Sequence, residues 1–271
     1  MRLAALLAIL GCAACLASCG DGATAPTRLR LATTTSTENT GLLAWLLPPF
    51  EEAENVRVET IAVGTGKALA LGERGDADVL LVHARSREDA FVAAGHGVDR
   101  RDVMWNDFVL LGPPDDPVRV KGTVDAAAAL RKIGEARARF VSRGDDSGTH
   151  IRERSLWEAA GGRPDWEAYW ETGQGMGATL TIADEKHGYV LADRGTVLAF
   201  GRKIDLVVLV ESDPELRNPY GVIRVNPDRH AHVEAQAARQ LLDYLTSPAG
   251  QARIAAFRKD GKVLFHPNSQ D

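Results

Sequence analysis

The segment Val79-Leu80-Leu81-Val82, reached through Ala77-Asp78, is apolar at every position. A strand wetted on one face alternates apolar with polar side chains, whereas an unbroken run suits a strand covered on both faces. Helices laid on either side of a parallel sheet supply that cover. The chain before it repeats the order such a sheet needs. Leu29 to Ala32 reads as a first strand, Thr33 to Thr40 as a hydroxyl-rich loop, and Gly41 to Leu47 as a helix stopped by Pro48-Pro49. Val56 to Val63 alternates as a second strand, and Gly64-Thr65-Gly66-Lys67 turns into a helix over Ala68 to Gly72. Strand and helix in alternation predict an α/β chain with a mainly parallel sheet.

Phe108 to Leu111 reads as a strand ended by Gly112-Pro113-Pro114, and Asp125 caps an alanine-rich helix from Ala126 to Ile133. Phe140-Val141-Ser142 is a further strand, followed by a helix over Ile151 to Trp157, another over Thr179 to Leu191, and a β-rich run from Ile204 to Val210. Ala231 to Leu245 and Gln251 to Phe257 are amphipathic helical segments with no strands of their own, so they need the first sheet to lie on. Tyr220 to Val225 is then the return crossing. The expectation is two lobes, residues 28–107 with 223–271 and residues 108–222, joined by crossings near 108–112 and 210–222, with a ligand cleft between them.

The first residues read as a leader. Met1-Arg2 and the short apolar run Leu3 to Leu10 have the form of a secretory signal, predicted over residues 1–19, and Leu16-Ala17-Ser18-Cys19 has the pattern at which bacterial lipoprotein signals are cut. Cys19 is then the acylated residue and 20–27 a tether, which puts the protein in the periplasm or at the cell surface, exported and lipid-anchored. Cleavage at Ala23-Thr24-Ala25, giving a soluble periplasmic protein, is the competing reading. All three cysteines precede residue 20, so disulfide and thiolate chemistry are not expected in the fold.

Three stretches share one chemistry. Thr34-Thr35-Ser36 follows the first strand, Thr65-Gly66 the second, and Arg143-Gly144-Asp145-Asp146-Ser147-Gly148-Thr149 leaves the strand at Phe140. Each sets hydroxyls and free backbone N–H groups at the C-terminal end of a strand and the start of a helix, where the helix dipole favours an anion and where open parallel sheets bind ligands. Arg143 adds a permanent cation, Asp145 is placed to orient it, and Asp146 is placed to cap the helix. The chain carries a net charge of −5 and has no basic stripe, so nucleic acid is not expected as a partner, and an anion must be held by a local pocket. A protonated phosphate calls for an acceptor in that pocket. A fully deprotonated tetrahedral oxyanion wants donors alone, and the nearest carboxylate to the first two turns is Glu38.

Catalysis finds little support. Ser147 is not in a Gly-x-Ser-x-Gly elbow, His150 is on the same turn, and Gly173 to Gly177 lacks the features of a nucleotide-binding loop. That glycine turn reads as a place where backbone lines the pocket or the lobes approach closely. His83, His96, His150 and His187 share no metal-ligand spacing with a carboxylate and read as surface or capping residues. An exported enzyme on a phospho- or sulfo-ester is the alternative from a different class.

Thr33-Thr34-Thr35-Ser36 with Thr40-Gly41-Leu42-Leu43, Val63 to Gly66, Asp76 to His83, Asn106-Asp107-Phe108, Ser142 to His150, Glu171 to Leu180, Asp193 to Thr196 and Asn218 to Val222 run in the order seen in tungstate-binding proteins of ABC importers, the TupA type. The chain resembles that family from about residue 29 to about residue 265, with Trp105 in place of its more usual Tyr. More distantly it is similar to molybdate, sulfate and phosphate receptors. The resemblance implies a type II two-lobe periplasmic-binding-protein fold, each lobe a mainly parallel sheet flanked by helices, with two crossing strands as hinge. It carries the oxyanion-ligand role onto Thr34, Thr35, Ser36, Thr65, Arg143, Ser147 and Thr149, and Gly148 in the same turn is a further candidate ligand. It further implies a monomer that is not an enzyme, has no cofactor, takes tungstate or a related tetrahedral oxyanion, and serves an ABC permease and its ATPase. Phosphate or sulfate remains the alternative ligand.

Overall fold

The computed structural model describes residues 25–162, 165–259 and 261–268. The expected leader of residues 1–19, with Cys19, and most of the expected tether lie outside the described residues. The first part of the chain forms β1 (Thr27–Thr34), α1 (Thr35–Asn39), α2 (Leu42–Leu46), α3 (Pro48–Glu54), β2 (Val56–Val63), α4 (Thr65–Arg74), β3 (Val79–Val82), α5 (Arg85–Ala93) and the long β4 (Gly97–Gly112). β1 runs parallel to β2 on one side and to β3 on the other. All four residues of β3 are buried. One face of this sheet packs Leu29, Leu31 and Phe50, the other Ala32, Leu80 and Phe91. Each Leu or Phe among them contributes roughly 1.5–3 kcal/mol by leaving water, so the apolar run is satisfied from both sides.

The proline pair departs from expectation. Pro48 and Pro49 open α3 instead of merely ending the helix before it, because proline lacks only an N–H that the first helical turn leaves unpaired.

β4 is the larger surprise, since the sequence marks a strand only from Phe108. Residues from Gly97 to Asp107 pair antiparallel with β9 (Arg217–Val225), the strand that defines the hinge. The register shifts between Val98 and Arg101 and again between Asp102 and Met104, so the period of two that would reveal the strand is broken around Asp99-Arg100-Arg101-Asp102.

The second part forms α6 (Ala126–Glu135), β5 (Phe140–Ser142), α7 (Gly148–Ala160), β6 (Tyr169–Glu171), α8 (Met176–Glu185), β7 (Val190–Asp193), α9 (Arg194–Phe200) and β8 (Val207–Val210). From Phe108 onward β4 changes partners and pairs antiparallel with β7 and β8. β5 and β6 are parallel, and a bridge from Phe140 to Tyr189 joins them to the segment entering β7. This sheet has its own apolar layers, Phe140, Leu156 and Trp157 on one face and Val109, Val141 and Leu180 on the other. The helix expected from Thr179 to Leu191 stops at Glu185. His187 takes φ 49 ahead of Gly188, which ends the helix, and the apolar residues beyond it are a buried strand.

β9 runs antiparallel to both β3 and β4, and so against the shared direction of β1, β2, β3 and β4 in the first sheet. It enters that sheet at Arg217, opposite Asp107, so residues 217–222 sit with the first lobe's strands and not with the second's as the boundary at 222 expected. The helices α10 (Ala235–Thr246) and α11 (Pro248–Ala256) cover the first sheet through Leu241, Leu242, Leu245 and Ile254. Leu264 and Phe265 are buried, and His266 and Pro267 pair with Trp105 and Met104 of β4. Where the chain passes between the sheets, Arg194 donates to both oxygens of Asp107 at 2.7 and 2.6 Å and to Glu211 at 2.7 Å. The two crossings are thereby tied to the second lobe at one guanidinium. No helix among the described residues is long and apolar enough to cross a membrane.

Candidate functional site

The three hydroxyl turns lie far apart in the chain and open onto one cavity of about 520 Å³ between the lobes. Its first-lobe wall carries Thr34, Thr35, Ser36 and Thr65, and its second-lobe wall Arg143, Ser147, Gly148 and Thr149. The structure therefore brings together all eight residues that the sequence singled out.

The threonine run is a strand end and a helical turn, not the loop expected of Thr33 to Thr40. Thr34 Oγ1 accepts from the Thr37 N–H at 3.3 Å as the N-cap of α1, and it lies 2.6 Å from Thr37 Oγ1 and 3.1 Å from Ser36 Oγ. A hydroxyl fits there because it satisfies one of the four N–H groups that a helix start leaves open. Thr33 is spent elsewhere, donating to the Leu81 carbonyl at 2.7 Å and so binding β1 to β3. At α4 the cap is Gly64, which has no side chain to cap with, so the first N–H groups remain for solvent or a ligand.

At α7 the cap is Ser147, whose hydroxyl accepts from His150 N at 3.3 Å. Asp146, expected to cap this helix, instead adopts φ 54 and donates its N–H to His150 Nδ1 at 3.0 Å. Asp145 does orient Arg143: its Oδ2 accepts from the guanidinium, while its Oδ1 accepts from Ser147 N at 3.2 Å. Burial alone would raise Asp145, but these contacts outweigh it and hold the carboxyl below its ordinary range. Arg143 Nε is buried and has no hydrogen-bond partner among the described residues.

Two more helix starts close the ring. Gly175, the cap of α8, lines the cavity with Met176 and Gly177, so the glycine turn does present backbone to it. At the start of α9, Gly195 and Thr196 reach the wall, while Asp193 behind them accepts from Thr196 N at 2.8 Å and from its hydroxyl at 2.7 Å. Among the described residues, none lining the cavity is Asp or Glu. The wall is rich in donors and its one charge is Arg143.

His83, set aside from the sequence as a surface or capping residue, is part of the wall. It stands at the end of β3 as Thr34 stands at the end of β1, and that shared position was the signal to follow. Its Nδ1 lies 3.0 Å from Asn218 Oδ1 and its Nε2 3.3 Å from Thr34 Oγ1. Burial lowers its pKa, and Arg143 adds to that effect. Behind the Arg143 turn, Glu153 is buried, takes the Tyr169 hydroxyl at 2.8 Å, and is pushed up to about 7 by desolvation.

These contacts bear on chemistry. Ser147 meets a backbone N–H of His150 and not its ring, and the Thr34–His83 contact is long for a nucleophile and base, with the Thr34 oxygen already engaged by Thr37. Among the described residues no three His, Cys, Asp or Glu side chains gather as a metal site.

Two sheets linked by a crossing strand pair, with a donor-lined cavity between them, define a two-lobe solute-binding protein, and a family profile described as PBP superfamily domain matches residues 21–249. The tungstate-binding protein TupA of Peptoclostridium acidaminophilum is 45% identical over 269 residues, 97% of this chain and 94% of its own. The solved tungstate-binding protein TupA of Desulfovibrio alaskensis G20 is 46% identical with a TM-score of 0.84, over 90% of this chain and all of its own. The solved tungstate ABC transporter protein of Geobacter sulfurreducens is 52% identical with a TM-score of 0.79, over 85% of this chain and 98% of its own. The chain belongs to the TupA family of that superfamily.

Proposed function

We propose that this protein is the extracytoplasmic substrate-binding protein of an ABC importer and that it holds tungstate, or molybdate, as a whole oxyanion in the interlobe cavity and delivers it to the permease. The observation that carries the reading is the wall itself: five helix starts, hydroxyls from both lobes and Arg143, with no carboxylate among the described lining residues. A fully deprotonated oxyanion needs only donors, and a carboxylate would repel it. The names of its relatives supply tungstate as the particular anion. Thr34, Thr35, Ser36, Thr65, Ser147 and Thr149 act as hydroxyl donors in this reading, Gly148 as a backbone donor, and Arg143 as the charged one. Several such bonds at about 1.5–3 kcal/mol each are of the size that nanomolar binding, about 12 kcal/mol, requires. Export, a lipid on Cys19, a monomeric state and an ATPase-driven permease partner belong to the same proposal. It is a binding role, with release in place of turnover.

Titration calorimetry of the mature protein with tungstate, molybdate, sulfate and phosphate tests it. Saturable heat with one ligand per chain is expected for tungstate and molybdate, and the reading fails if none of the four gives heat.

A further inference from the structure

His83 is the wall residue with a titratable group that the oxyanion reading leaves without a role. Its tautomer is fixed by a chain of amides running away from the cavity. Asn106 Nδ2 donates to the Tyr220 hydroxyl at 3.3 Å, which leaves Asn106 Oδ1 to accept from Asn218 Nδ2 at 2.7 Å. Asn218 must then present its oxygen to His83 Nδ1, so Nδ1 carries the hydrogen and Nε2 keeps a lone pair. That lone pair lies 3.3 Å from Thr34 Oγ1 and can take the Thr34 hydrogen when Thr37 donates to Thr34 across their 2.6 Å contact. In that arrangement Thr34 lines the cavity with its hydrogen given to His83.

The ring cannot easily move to escape this role. It lies against Tyr220 of β9 with centroids 4.8 Å apart. A β-carbon built on Gly148 would sit 2.8 Å from His83 Cε1 and 2.9 Å from Nδ1, so the ring also touches the opposite lobe at the start of α7. The groups that face it are Arg143 and the N-terminus of α7, both opposing a second positive charge, and Asp193 at the start of α9, which favours one. In the free protein burial decides the balance and keeps the ring neutral near pH 7.

A tetrahedral dianion changes that balance, because a single guanidinium leaves one of its two charges uncompensated. We propose that His83 is the proton-linked group of the cavity: dianion binding draws one proton from solvent onto Nε2, which then donates to Thr34 Oγ1 and frees the Thr34 hydroxyl hydrogen to bond the ligand. One proton thus supplies a second cation and converts a hydroxyl from bystander to donor. The inference rests on the oxyanion reading of the cavity.

The test is calorimetric titration of the unsubstituted protein with tungstate, and in parallel with molybdate, in buffers of different ionisation enthalpy from about pH 6 to about pH 9. The expected result is an apparent heat that changes with the buffer, reporting uptake of up to one proton per ligand. Affinity should fall by up to tenfold per pH unit as pH rises between the free and bound values of His83. His83→Gln should bind more weakly and lose both the buffer dependence and the pH slope. Nitrogen-15 spectra of the histidine rings in the unsubstituted protein should show one ring passing from the neutral Nδ1–H form to imidazolium on saturation, which keeps the test independent of how the variant folds. Heat of the same size in every buffer overturns the inference while leaving the oxyanion reading intact. So does proton uptake that persists in His83→Gln, or a histidine spectrum unchanged by ligand. Absence of any binding heat removes the oxyanion reading and this inference together.

Discussion

The two walls of the cavity solve the same problem with different means. The first-lobe wall is built from hydroxyls on uncharged strand ends, with the short α1 behind Thr34 and the ten-residue α4 behind Thr65. The second-lobe wall places Arg143 beside the 13-residue α7, with Asp145 holding the guanidinium in place. Helix dipoles act through the terminal turn and are modest at a surface, so the fixed charge dominates where it is present. The contrast implies a division of labour in which the second lobe supplies most of the attraction and the first lobe adds geometry and selection.

Removing the charge is the most severe way to break that contrast. Arg143→Ala should weaken tungstate binding by about 2–4 kcal/mol, roughly 30- to 700-fold in Kd, measured by calorimetry or by competition if binding becomes too weak. A loss no larger than that of a single hydroxyl would mean the two walls share the charge evenly.

Glu153 sharpens the comparison from behind the second wall. Its carboxyl lies near 7 in the folded protein against 4.5 in the ordinary case, so the folded state binds the extra proton between those values. Stability contributed by that proton is present at low pH and is lost as pH rises through this window, by about 3 kcal/mol in all. Glu153→Gln should remove the decline. Melting curves of both proteins from about pH 4 to about pH 8 check it, and parallel curves would show that Glu153 does not titrate there.

Gly148→Ala acts where the walls meet. The new methyl would fall within 3.0 Å of the His83 ring, which Asn218 and Tyr220 hold in place, so the lobes must part. Overpacking of this kind costs about 1–3 kcal/mol, read here as weaker binding with little change in melting temperature. The smallest effect belongs to the first wall: Thr65→Ala should lose about 0.5–1.5 kcal/mol, a few-fold in Kd by the same titration.

Much of this arrangement is legible in the chain because local chemistry and the global fold agree. The buried run at Val79, the alternation before it and the hydroxyl and arginine turns each specify their surroundings through burial or capping, and they place the parallel strands and the eight cavity residues. What the sequence conceals are features decided by partners distant in the chain. The Gly97 to Asp107 half of β4 is hidden by its register shifts, and the buried strand at Val190 blends into the apolar helix before it. His83 looks like a scattered histidine until Asn218, 135 residues away, is seen to fix its tautomer. The reversal of β9 follows only from its pairing with β3 and β4.

Oxyanion binding depends on a wall that offers donors and, among the described residues, no carboxylate. Equilibrium competition on the tungstate-loaded protein tests this most directly, with molybdate, sulfate and phosphate added in turn at one pH. Molybdate should displace tungstate at comparable concentration and phosphate should fail even in large excess. Displacement by phosphate on equal terms would contradict the account.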